Sequence, residues 1–285
     1  MAIPQGYICS LSRTIPVIIV FLFLGRSAAA SAPVPREPSN ITYDEEYDVF
    51  YQEAFHALMA RVKAAIPRAY QTVTKAWNLD YPGLLHPLTV QVKELSGDTL
   101  VRQKVAYVQA RGVGSDLHQV MVLDLDAYKQ FTRENVEEIV THEMGHVVLQ
   151  DVESGPHTAP IPSWLNEGLA QSIDHEGKER LENDVDTLRR SGAPLVLCKL
   201  DEPVDEFFNG PFNLNSGCYP EFYLAVQRLK QLGGPRTIAN LMAGLRDGKT
   251  LADQLPALAG MDWDAFQREV TRYSEDVFNG RQPIP

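Results

Sequence analysis

Residues 134–151 read ENVEEIVTHEMGHVVLQD, and they contain a five-residue pattern, His142-Glu143-Met144-Gly145-His146, that ties a fold to a chemistry. Thr132 is an acceptable N-cap with Glu134 in the first turn, so a helix is predicted from there to about Gln150. Residues four apart sit one turn apart on the same helical face, so both imidazoles of an H-E-x-x-H pattern can point at one ion. Glu143 follows the first histidine by about 100° of rotation, which lets its carboxylate face water beside the metal without displacing a ligand. Zinc held there would lower the pKa of water toward about 7. Glu143 would then act as general base and return the proton to the leaving nitrogen.

Two histidines leave a catalytic zinc one protein ligand short. A third histidine six residues after the second would need a glycine at position 149 and a histidine at 152, where the chain carries Leu149 and Val152. The next helix offers the alternative. Ser154–Pro162 (SGPHTAPIP) must be a loop, since its prolines and glycine cannot continue a helix. Ser163 can cap a second helix beginning Trp164-Leu165-Asn166-Glu167-Gly168-Leu169-Ala170, and Glu167 can return to the metal as third ligand.

At these residues the chain resembles the gluzincin zinc metallopeptidases, specifically the small peptidase-MA-like family. HEMGH followed by WLNEGLAQ is similar to that family's two motif blocks, and the likeness extends through Cys218–Gly233 (CYPEFYLAVQRLKQLG), covering roughly residues 85–275. It implies a zincin-like fold, one zinc per chain held by His142, His146 and Glu167, and Glu143 as base. Two positions depart from the pattern. Many gluzincins place an aspartate four residues after the ligand glutamate to orient the first histidine; here that position is Gln171, with Asp174 an alternative partner. The G-x-M-E-N block of the aminopeptidase branch is absent, which favours an endopeptidase.

Around this centre the sequence predicts an α+β fold. Tyr43 to about Trp77 carries apolar residues at helical spacing and reads as two helices separated near Pro67. Three strand-like runs follow, Leu88–Leu95, Val105–Arg111 and Gln119–Leu125, and a small, mostly antiparallel sheet is the simplest assembly. The last run, just before the metal helix, is the strand that would pair with an extended peptide if it lies at an edge. Residues 185–285 form a helical C-terminal part, with the body spanning 43–285 (43–80 helical, 85–184 sheet and active-site helices).

Arg13, an apolar run at Ile15–Gly25 and the small residues 27–32 make a secretory signal peptide over residues 1–32. The run is too short for a membrane span, so no stable insertion is expected after cleavage and the product is periplasmic or secreted. Residues 33–42, rich in proline and serine, read as a flexible linker containing the sequon Asn40-Ile41-Thr42. The chain carries a formal charge of −11, and losing Arg13 and Arg26 makes the mature part more acidic, which argues against nucleic acid as partner. Cys198 and Cys218 can form a disulfide or stand as separate thiols.

The remaining assignments are narrower. Tyr219 is the candidate phenol for the developing oxyanion, with Tyr223 its rival one turn later. His56, His86, His118, His157 and His175 lack paired ligand spacing, although His157 lies in the loop between the motif helices. The leading expectation is an exported zinc endopeptidase acting on peptide or protein. The alternatives are a non-catalytic binding protein on the same scaffold, or a zinc amidase acting on a cell-wall amide.

Overall fold

The computed structural model describes residues 40–44, 52–80, 83–93, 106–112, 116–125, 133–155, 157–173, 176–191, 197, 200 and 215–285. The chain divides into residues 1–34 and a body of residues 35–285. Residues 1–32, read above as a signal peptide, and the side chains of Cys198 and Cys218 lie outside the described residues. Among the described residues no helix is long and apolar enough to cross a membrane.

The body is α+β, as expected. It begins with strand β1 (Ile41–Asp44), helix α1 (Gln52–Ala76) and strand β2 (Leu88–Lys93). Ile41 and Thr42, which composition assigns to the linker, are therefore part of the sheet. Strands β3 (Ala106–Arg111) and β4 (His118–Asp124) follow, and the sheet order is β1-β2-β4-β3.

The expectation of a mostly antiparallel sheet is corrected here. β1 runs parallel to β2, with Ile41 opposite Leu88, and β2 runs parallel to β4, with Leu88 opposite Gln119. Only β3 is antiparallel, pairing with β4 with Ala106 opposite Leu123. The connections explain this. The crossover through α1 returns the chain in the same direction, as parallel neighbours require, whereas the short link from β3 to β4 makes a hairpin. β4 is thus an interior strand flanked on both sides, and among the described residues the sheet edge beyond it belongs to β3. Burial agrees, because Gln119–Leu123 are all buried, as in a strand covered on both faces.

Helix α1 corrects a second expectation, for it runs unbroken through Pro67. Its apolar stripe, Phe55, Leu58, Val62, Ile66, Ala69 and Val73, is at most 1% exposed and continues on both sides of the proline. Pro67 itself is only half-buried, on the outer side, where water can satisfy the carbonyl that loses its partner.

Helix α2 (Arg133–Glu153) starts where the sequence places it and runs about a turn past Gln150. Val147, Val148 and Leu149 point in three successive directions and are all buried, so the helix is enclosed by α1, the sheet and the helices that follow. Those are α3 (Ser163–Gln171), α4 (Glu176–Ser191), α5 (Asn215–Gly233), α6 (Thr237–Arg246), α7 (Leu251–Ala259) and α8 (Trp263–Phe278). One core joins Leu88, Val90 and Met121 of the sheet to Val140 and Met144 of α2, Leu165 and Leu169 of α3, and Val226 and Leu229 of α5.

Candidate metal centre

His142 and His146 project from successive turns of α2, with their Nε2 atoms 3.2 Å apart. Glu167, in the first turns of α3, brings Oε2 to 3.7 Å from each Nε2. The three side chains are 13–22% exposed, so the cluster is enclosed but reachable from solvent. A tetrahedral ion with bonds of about 2.0–2.1 Å separates its ligand atoms by roughly 3.3 Å. The observed edges bracket that value. Among the described residues this is the one group of three or more such side chains that could hold a metal ion.

Helix contacts fix this convergence. Gly145, between the two histidines, faces α3 so closely that a Cβ there would lie 2.8 Å from Ile173 Cδ1 and 3.3 Å from the Cα of Ala170. Gly168, one residue after Glu167, is tighter still, since a Cβ would fall 2.3 Å from the carbonyl oxygen of Phe222 on α5. Each glycine costs its helix about 1 kcal/mol relative to alanine, and close packing of three helices offsets that. Trp164, 2% exposed, stacks on Trp263 with ring centroids 6.2 Å apart and anchors the start of α3 against α8.

Ser163 does not cap α3. Pro162 occupies the N-cap with no side-chain cap, and its carbonyl accepts from the amides of Leu165 and Asn166. The loop before it is tied at both ends. Ile161 N–H donates to Glu153 Oε1 at 2.6 Å, and Ala159 N–H donates to the Leu245 carbonyl on α6 at 3.0 Å.

Asn166 is a site residue that the sequence reading left without a role. Its Oδ1 lies 2.5 Å from His146 Nδ1, so it accepts from Nδ1–H and leaves the Nε2 lone pair turned toward Glu167 and His142. A polar residue wedged between buried Leu165 and Glu167 was the available signal. Glu143 is 7% exposed and sits on α2 between the histidines.

The other assignments separate. Gln171 is 1% exposed, and among the described residues neither atom of its amide has a hydrogen-bond partner. Asp174 and the side chain of Tyr219 lie outside the described residues. Tyr223 does not serve as the rival phenol, because its hydroxyl donates to the Pro285 carbonyl at 3.3 Å. Its ring belongs to a separate cluster with Leu181 and Val185. Burial, then Tyr273 and Glu182, push its hydroxyl up to about 12. His86 and His118 bond to Ser154 and Thr89, and His157 is exposed. His175 lies outside the described residues.

The family model described as the peptidase MA superfamily matches residues 105–274, more than half of the chain and both helices that carry His142, His146 and Glu167. The chain belongs to that superfamily, and so to the metallopeptidases. No curated protein matches it.

Proposed function

We propose that this member of the peptidase MA superfamily is an exported zinc endopeptidase that cleaves peptides or proteins in the periplasm or outside the cell. The observation that carries the reading is the convergence of His142 Nε2, His146 Nε2 and Glu167 Oε2 at 3.2–3.7 Å. Two imidazoles and one carboxylate make a catalytic zinc set that keeps a position for water or substrate. When bound, zinc supplies a Lewis acid that activates water and polarises the scissile carbonyl.

The chain's own residues do the rest. Asn166 holds His146 in one tautomer, which fixes the direction of its Nε2 lone pair. The Glu143 carboxylate accepts the proton of the attacking water and delivers it to the leaving nitrogen. Tyr219, on α5, is assigned to hydrogen-bond the oxyanion. Export rests on the basic, apolar and small-residue pattern of residues 1–32.

The test pairs metal content with turnover. After zinc loading and dialysis, the mature protein should retain about one zinc per chain, and Glu167→Ala should lose it. Glu143→Ala should keep the metal while cleavage of a peptide library falls about 10²–10⁴-fold. Full cleavage by Glu143→Ala would overturn the mechanism. A zinc-loaded wild type that cleaves no peptide would leave a binding protein, or an amidase if it digests purified cell wall.

A further inference from the structure

Five residues beyond the second histidine, α2 carries a charged group that the metal chemistry does not use. Asp151 is 3% exposed. Its Oδ2 accepts from the Leu85 amide at 2.8 Å, and its Oδ1 accepts from Gln119 Nε2 at 2.7 Å. The His86 amide also donates to it. These bonds tie the end of α2 to interior strand β4 and to the segment entering β2.

Every one of these partners is neutral. From α1 comes Tyr70, pushed up to about 12 by burial and then by the Asp151 charge. From the segment before β2 comes His86, whose Nε2 is engaged with the Ser154 hydroxyl at 2.6 Å and whose pKa burial lowers, which favours the uncharged ring. From β4 comes Gln119, 0% exposed. On α2 itself, Glu153 is committed to Ile161 N–H. Among the described residues no lysine or arginine pairs with Asp151. A buried carboxylate without a cation relieves its cost by taking a proton.

Gln119 can accommodate both forms. In the described arrangement its Nε2 donates to Asp151 while its buried Oε1 has no hydrogen-bond partner among the described residues. Rotating the amide would present Oε1 to a carboxylic O–H.

We propose that Asp151, with Gln119, is a proton-binding clamp that contributes more to the folded domain's resistance to unfolding in mildly acidic solution than at neutral pH. Desolvation first, opposed by the amides of Leu85 and His86 and by Gln119, raises the carboxyl from 3.8 to about 6. The folded state then binds the proton more tightly than the unfolded chain. The stabilisation is full below about 3.8 and is lost as pH rises through about 6.

Urea unfolding of the mature chain is compared from pH 5 to 7.5 for wild type and Asp151→Asn, whose amide is an uncharged near-isostere. The difference between the two cancels the histidines common to both. The wild-type folding constant should fall about tenfold more than the variant's over that range, about 1.4 kcal/mol. Parallel profiles would overturn the proposal. Should Asp151→Asn fail to fold, ¹³C NMR of wild type labelled at aspartate Cγ decides. One carboxyl should titrate near pH 6, and Gln119→Met, which removes a donor to the ionised form, should move that midpoint upward. No aspartate titrating above pH 5 would overturn the proposal as well.

Discussion

His142 and His146 lie in the middle of α2 and Asp151 near its end, on one helix enclosed by one core, yet the two regions treat charge in opposite ways. In the middle, acceptor atoms are aimed at one another: an imidazole whose proton is held by Asn166, a second imidazole 3.2 Å away, and a carboxylate 3.7 Å from both. Such an arrangement gains most from a cation. At the end, a carboxylate only 3% exposed meets neutral partners, and its burial favours the proton against the opposing pull of two backbone amides and Gln119. The difference lies in depth as well as in partners, since the metal group is 13–22% exposed and Asp151 is almost sealed from water.

The largest expected effect that separates the regions comes from Gly168→Ala. Its Cβ would collide with a backbone oxygen at 2.3 Å, which no rotamer change relieves, so α3 must move away from α5. A loss of about 3 kcal/mol in stability is expected by urea unfolding, with zinc retention abolished. Normal zinc content in that variant would mean the metal group does not depend on the seat of α3. Next comes Asn166→Ala. It should weaken zinc binding about 10–100-fold in a chelator competition, while the pH profile of unfolding, which belongs to the other end of α2, stays unchanged. Smallest is Gly145→Ala, where the near atom is the tip of the Ile173 side chain at 2.8 Å. Relief by rotation and the helical preference for alanine should hold the loss to about 1 kcal/mol by the same unfolding measurement.

The parts of this arrangement that could be read from sequence are those set by local spacing. The i, i+4 histidines, the start of α2 after Thr132 and the alternation of Leu88–Lys93 each declare themselves within a few residues. What escaped is set by partners distant along the chain. Four residues at Ile41–Asp44 are too few to show a period, and the direction in which two strands pair leaves no mark on either. Pro67 signals a break by its own chemistry, and only burial of the stripe on both sides overrides it. Asn166 acquires its role from a histidine 20 residues earlier, and Asp151 acquires its donors from positions 32 and 66 residues earlier.

The tied loop between Glu153 and Pro162 has a consequence for the energetics of metal capture. In an unstructured chain, bringing Glu167 back to His146 would require closing a ring of about twenty residues, at an entropy cost that grows with the logarithm of its length. Here the hydrogen bond from Ile161 to Glu153 closes a shorter loop within that ring, and the bond from Ala159 to Leu245 fixes that loop to α6. The ordering is therefore met when the polypeptide folds, and little of the ion's binding free energy is diverted to it. An ion bound there would meet a preorganised seat in a body that has its own large core, in contrast to small domains that exist only as long as their zinc holds them together.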